Sequence, residues 1–311
     1  MVKKEIVKEA DPSLQLSILI VSYNSVETIK SCIESLVDEL ILVSGEIIVV
    51  DNASIDDTPS LLKALATEHK QVQIQLNHSN RGFAVGNNQA LELAKGKHVL
   101  ILNPDTIIQQ GSIKGLLQEL ESDERIGLVA PQLQFPDGRI QKSCRRFPTH
   151  MDVIYHSLGL SQLFPESKRF NGWKMGDFDH QTKCQVDQPA GAALLINGDI
   201  LRQLNGFDPN FPMFFNDVDL CKRVKNLGCE IWYLPEFVVV HLGGASVKQA
   251  KIKMTVSSHV SFFRYFEKHF TRLHQQPLNF IIGLLLYLSL IPRILMISLF
   301  KRGINRSRDT L

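Results

Sequence analysis

An α/β fold, with a mostly parallel central sheet and helices on both faces, is what this sequence predicts, and three observations predict it. Short, continuous apolar runs alternate with segments of helical periodicity through the first hundred residues. The runs lack polar–apolar alternation, as strands do when both their faces are buried. Each run also stops at a polar turn. Parallel strands point their carboxyl ends the same way, so these turns would gather along one edge as a crevice.

The first strand is Leu16–Ser22, ended by Tyr23-Asn24-Ser25. Val26–Leu42 follows with helical apolar spacing at Ile29, Ile33, Leu36, Val37 and Leu40. A second strand, Glu46–Val50, stops at Asp51-Asn52-Ala53-Ser54, and a helix runs from Asp57 to Glu68. The third strand, Val72–Leu76, leads into a turn carrying Asn80-Arg81-Gly82 and then a helix to Ala94. The fourth, His98–Leu102, runs into Asn103-Pro104-Asp105. A carboxylate such as Asp105 at the carboxyl end of a strand suits a divalent cation carrying a diphosphate. The alternative is an ordinary turn capping the next helix. Asp51 and Asp56 leave the same choice open, between ligand contact and helix cap.

With 311 residues the chain makes one large domain or two, and 44% hydrophobic residues give it a sizeable core. A net charge of +2 with no basic stripe interleaved with aromatics argues against a nucleic-acid partner. Neither a Gly-x-Gly-x-x-Gly after the first strand nor a phosphate-binding P-loop is present, which sets aside those nucleotide sites. The five cysteines are odd in number and contain no Cys-x-x-Cys, as expected of a reducing compartment. Met1–Asp11 lacks the apolar core of a signal peptide, so a cytosolic main body is expected.

Four segments stand in order: Ser-Ile-Leu-Ile-Val-Ser-Tyr-Asn at 17–24, Val-Val-Asp-Asn-Ala-Ser-x-Asp at 49–56, Asn-Arg-Gly-Phe-Ala-x-Gly-Asn-Asn at 80–88 and Leu-Asn-Pro-Asp-Thr at 102–106. Together they resemble the nucleotide-diphospho-sugar-dependent family 2 glycosyltransferases of the GT-A fold. The resemblance implies that Asp51 holds the base or ribose and that Asn80 and Arg81 help seat the nucleotide. Tyr23, Asn24 and Asn103 join them around the donor. Asp105 would be the metal carboxylate, for Mn2+ or Mg2+. Asn103 stands where that family often has a first Asp, and Asn-Pro-Asp resembles its rhamnosyltransferase-like branch.

Beyond a strand over Gly127–Phe135 and a Pro136-Asp137-Gly138 turn lies a basic and aromatic stretch, 139–182, expected as packed irregular structure or a lid. Val186–Asn197 reads as a strand in which Gly191-Ala192-Ala193 lets a sugar ring approach the backbone. Phe211–Phe215 supplies an apolar wall, and Asn216-Asp217-Val218-Asp219-Leu220 opens a helix. Asp217 and Asp219 are caps or functional carboxylates. The segment resembles the family's Glu-Asp-Val-Asp-Leu motif, which makes Asp217 the base that deprotonates an acceptor hydroxyl. Asn216 takes the place of the Glu, with Asp219 beside the acceptor. His241-Leu-Gly-Gly-Ala-Ser246 resembles the family's His-x-Gly-Gly-x-Ser element, in which His241 joins the metal–diphosphate site.

The expected organisation is a polar tail (1–14), a GT-A domain (15–246, nucleotide-sugar half to 110, acceptor half from 111) and a basic, then hydrophobic, helical segment (247–311). Residues 278–300 reach the roughly 20 apolar residues of a membrane span only by including Pro292 and Arg293. Basic residues on both flanks favour an interfacial helix pair broken at Pro292, over a spanning helix or one buried in the core or in a homodimer. The resemblance therefore implies an inverting glycosyltransferase on the cytoplasmic face of the inner or plasma membrane. Its donor is a nucleotide-sugar, with dTDP-rhamnose favoured by the Asn-Pro-Asp branch, and its acceptor a glycan or lipid-linked hydroxyl in cell-surface polysaccharide synthesis. A sugar nucleotidyltransferase or a non-catalytic sugar-nucleotide-binding protein are the rival readings.

Overall fold

The computed structural model describes the backbone of residues 13–243 and 251–308, with side chains throughout except Lys251 and 295–308. Almost all of the expected polar tail, and Gly244, Ala245 and Ser246 of the motif after His241, lie outside the described residues. Two compact units form. The larger comprises the chain to Phe147, Phe178–Pro212 and Asn216–Gly243; the smaller comprises Pro148–Asp177, Met213–Phe215 and the C-terminal helices.

The larger unit is built on a nine-stranded sheet. Its strands are β1 (Leu16–Ser22), β2 (Gly45–Asp51), β3 (Val72–Leu76), β4 (His98–Leu102), β5 (Thr106–Ile108) and β6 (Ile126–Gln134). After the short β7 (Cys144–Arg145) come β8 (Cys184–Gln185), β9 (Gln188–Pro189), β10 (Ala193–Asn197) and β11 (Glu230–His241). The order across the sheet is β3-β2-β1-β4-β10-β6-β11-β5, with β8 on β11; β7 and β9 pair separately. Every residue of β1 and of β4 is buried, which explains their continuous apolar sequence. Helices α1 (Ile29–Glu39), α2 (Thr58–Glu68), α3 (Phe83–Leu93) and α4 (Ser112–Glu121) connect the strands. In α1 the buried apolar residues are Ile29, Cys32, Ile33 and Leu36, spaced at three and four along one face that Glu39 continues. Each apolar side chain so buried contributes roughly 1.5–3 kcal/mol.

One departure from the expected sheet matters for the site. β3, β2, β1 and β4 pair in parallel, but β10 lies antiparallel between β4 and β6. The expected strand Val186–Asn197 is divided: Gln188–Pro189 pairs as β9 with β7, and only Ala193–Asn197 joins the main sheet, with Ala190, Gly191 and Ala192 between them. An antiparallel strand starts where its neighbours end, so Ala193 pairs with Leu102 and the residues before it arrive at the carboxyl edge. β11 runs parallel to β6 and also ends there, at His241.

In the smaller unit, part of the stretch expected as irregular forms α5 (His150–Ser157) and α6 (Leu160–Leu163). Thr149 and Asp152 cap α5 reciprocally. His150 ties 148–177 to both C-terminal helices: its ring packs on Phe266 of α9 (Lys251–His269), and its Nε2 meets Asn279 Oδ1 of α10 (Gln276–Arg308) at 2.7 Å. Helices α7 (Gly198–Gln203) and α8 (Asn216–Asn226) belong to the larger unit. The expected break at Pro292 does not occur: α10 continues through it. A proline removes one backbone donor and bends a helix, yet long helices absorb one such residue. By length and composition, Leu273–Ile294 is able to cross a membrane.

Candidate functional site

The loops at the carboxyl edge are laced together by side chains of the very turns that end the strands. Asp51, 1% exposed, accepts hydrogen bonds from Ser22 Oγ (3.0 Å), Ser54 N (2.9 Å) and Ser54 Oγ (2.5 Å). Three of a carboxylate's four lone-pair directions are then used, and one is left for a ligand. Ser54 Oγ also accepts from Asn24 N (2.8 Å), and Asn24 Oδ1 accepts from Ile55 N (2.9 Å). Asn24 and Ala53 both hold left-handed backbone, at φ 50° and 61°, a strain that such cross-links maintain. Tyr23 is partly exposed beside them.

Asn52 extends the lacing to the next turn, donating to the Gly82 carbonyl (3.1 Å) while accepting from Asn77 (3.0 Å). Asn80 Oδ1 accepts from Gly82 N (2.9 Å), and Arg81 is exposed. Gly82 is required there: its φ is +84°, and a Cβ would lie 2.9 Å from the Pro212 carbonyl oxygen. Asp51 and Asn103 end strands separated only by β1, so their turns stand about 10 Å apart. That span suits a nucleoside with its diphosphate.

Around Asn103 two further elements converge. The β5–β11 ladder pairs Thr106 with His241 and joins Leu242 N to the Asp105 carbonyl (2.9 Å). His241 Nε2 therefore stands 3.4 Å from Asp105 Oδ1 and 3.4 Å from Asn103 Nδ2. Neighbouring donors on one octahedral cation, bonded at about 2.1 Å, lie about 3 Å apart, so Asp105 and His241 fit as two cis ligands. Among the described residues no three His, Cys, Asp or Glu side chains form a metal cluster. A cation here would need phosphate oxygens to complete its shell, as hard cations at nucleotide sites do. Beneath the turn, burial pushes the Cys32 thiol up to about 12, so it packs as an inert side chain.

On the other side, Asn103 N donates to the Ala192 carbonyl (2.9 Å), and Gly191 N donates to Asp217 Oδ2 (3.0 Å). Two adjacent residues thus link the Asp105 turn to Asp217. Gln188 Nε2 (3.4 Å) and Val218 N (2.8 Å) also donate to this carboxylate. Burial nevertheless raises the Asp217 carboxyl above the ordinary aspartate value, against those amides and the Arg145 charge. A raised carboxyl is a better proton acceptor.

Two of the expected acceptor residues lie inside the protein. Asp219 is fully buried and accepts from Arg223 Nε at 2.7 Å, which braces α8. Asn216, at the start of the same helix, is also buried. The sequence reading missed Gln188 and Gln141. Gln141 is held by the hairpin that the Pro136-Asp137-Gly138 turn signals, but the register that brings it to His241 comes only from β11.

Residues 17–179 match Glycosyl transferase family 2, more than half of the chain, and the protein belongs to that family. Among relatives, N-acetylglucosaminyl-diphospho-decaprenol L-rhamnosyltransferase of Mycobacterium tuberculosis is 26% identical over 206 residues. That alignment covers 63% of this chain and 66% of the relative, a little under two thirds of its length. Rhamnosyltransferase WbbL of Escherichia coli is 28% identical over 236 residues, covering 72% of this chain and 82% of that protein. The fold is that of the mannosyltransferase PcManGT from Pyrobaculum calidifontis, solved with GDP-Man and Mn2+. It has TM-score 0.57 at 16% identity, over 96% of this chain and 82% of that one. GalNAc-T7, solved with UDP, GalNAc and Mn2+, has TM-score 0.56 at 15% identity, over 74% and 44%.

Proposed function

We propose that this protein transfers a sugar from a nucleoside diphospho-sugar to a hydroxyl of a glycan or lipid-linked acceptor, inverting the anomeric carbon. The observation that carries this reading is the joining of the Asp105–His241 pair to Asp217 through Asn103 and residues 191–192. Asp217 takes the proton of the acceptor hydroxyl. The freed oxygen bonds to C1 of the sugar as the bond from C1 to the diphosphate oxygen breaks, and that electron pair leaves with the diphosphate. A single displacement inverts the centre. Mn2+ or Mg2+ bound by Asp105 and His241 would neutralise the charge developing on the leaving diphosphate. Asp51 with the Tyr23–Asn24 turn receives base and ribose, Asn80 and Arg81 flank the nucleotide, and Gly191 and Ala192 admit the sugar ring.

The two rhamnosyltransferase relatives support rhamnose, from a dTDP donor, as the sugar, and polysaccharide assembly at the cytoplasmic membrane face as the setting. An exposed stripe on α10 supports membrane contact: Phe280, Ile281, Leu284, Tyr287, Leu288 and Ile291 recur at helical spacing. The opposite side of the helix, with Asn279, Ile282 and Leu286, is buried, and Gly283 admits the Phe263 ring. One buried and one exposed apolar side fit a helix lying in the membrane interface.

Thermal unfolding with UDP, dTDP or GDP, each with and without Mn2+, tests the donor site. One nucleotide should raise the midpoint, more so with Mn2+, and Asp105→Asn should abolish the metal-dependent part. No shift with any nucleotide contradicts the proposal.

A further inference from the structure

Gln141 touches His241 twice. Its Nε2 donates to the His241 backbone carbonyl at 2.6 Å, and its Oε1 meets His241 Nδ1 at 2.9 Å. A carbonyl oxygen only accepts, so the Gln141 amide nitrogen must face it and the amide oxygen must face the ring. An amide oxygen also only accepts. Nδ1 must then carry a proton, and in a ring with one proton Nε2 is left as a lone pair.

That lone pair faces Asp105 Oδ1 at 3.4 Å, another acceptor. Two electron-rich atoms aimed at one another are unfavourable unless a cation stands between them; Asn103 Nδ2, at 3.4 Å, is a long and weak substitute. Gln141 itself is positioned by backbone: its N–H donates to the Leu133 carbonyl at 2.8 Å, and Phe135 N–H to the Arg139 carbonyl at 2.8 Å, closing the hairpin beyond β6. β6 and β11 pair through Gln134 and Val240, which sets this hairpin beside His241.

We infer that Gln141 is a positioning residue that fixes His241 as the Nδ1-protonated tautomer and so reserves Nε2 for a divalent cation shared with Asp105. The inference rests on the metal–diphosphate reading above. Partners of ligating histidines of this kind typically change metal affinity about 10–100-fold when removed.

Long-range proton–nitrogen NMR correlations of the metal-free protein report the tautomer directly and require no activity. The unaltered protein should show His241 protonated at Nδ1 alone. Gln141→Leu should shift it toward Nε2 protonation against Asp105. The same variant should raise the Kd of Mn2+, measured with saturating dTDP, about 10–100-fold while leaving metal-free dTDP binding unchanged. An Nε2-protonated or doubly protonated His241 in the unaltered protein overturns the inference without any variant. So does an unchanged Mn2+ affinity in Gln141→Leu when His241→Ala has lost it. Unchanged Mn2+ binding in His241→Ala overturns instead the metal reading beneath it.

Discussion

Asp217 and Asp219 lie two residues apart at the start of one helix, and the structure gives them opposite environments. Two positions in an α-helix are about 200° apart around its axis, so neighbours in sequence face different surroundings. Asp217, a half-buried residue, has a carboxyl raised by burial and bonded only to amides, whereas Asp219 is fully buried with its charge matched by Arg223. Arg223 also donates to the carbonyls of Leu204 (3.0 Å) and Gly206 (2.9 Å), so losing Asp219 strands a guanidinium among carbonyls. Asp219→Ala should therefore cost roughly 3–5 kcal/mol in urea unfolding, with the affinity of the folded protein for whichever of UDP, dTDP and GDP it binds unchanged. A loss of that nucleotide affinity at full stability would contradict a purely structural Asp219.

The antiparallel entry of β10 is the element on which the site depends. It delivers Gly191 and Ala192 to the edge where β4 ends, and there a Cβ on Gly191 would stand 3.1 Å from the Asp217 Cβ. Gly191→Ala should displace the carboxylate by a few tenths of an ångström and lower kcat at least tenfold, while the unfolding midpoint changes little. Steady-state kinetics beside a thermal melt read both. The first four strands were legible in the sequence because continuous apolar runs between polar turns have few other solutions; β1, β3 and β4 have the expected bounds. The direction of β10 was not legible, since Ala193–Asn197 is equally apolar either way. The motifs singled out Asp105, His241 and Asp217, which the fold brings to one edge of the sheet, but the Gln141 contact needs the pairing of β6 with β11. The unbroken α10 departs from the proline rule, since one lost backbone donor is a small part of a 33-residue helix.

For the molecule as a whole, the carboxyl edge of the sheet and the apolar C-terminal helix belong to different units, and each can be probed by its own measurement. The full chain should sediment with vesicles containing anionic lipid. Phe280→Asp with Leu284→Asp should weaken that binding at least tenfold, since each residue withdraws roughly 1.5–3 kcal/mol of apolar burial. The nucleotide-dependent thermal shift should survive in the same variant. Equal sedimentation of both proteins would remove the helix face from the account.

Transfer by Asp217→Asn measures the central claim most directly. Sugar transfer from dTDP-, UDP- and GDP-sugars to a polyprenyl-diphosphate-linked acceptor with Mn2+ is followed alongside donor Kd. The unaltered protein should transfer from one donor, with activity falling on acidification at a pH above the ordinary aspartate range as Asp217 takes up its proton. Asp217→Asn should bind that donor normally and lose about 10²–10⁴-fold in kcat. Transfer by Asp217→Asn at the unaltered rate would contradict the assignment of the base and the reaction built on it.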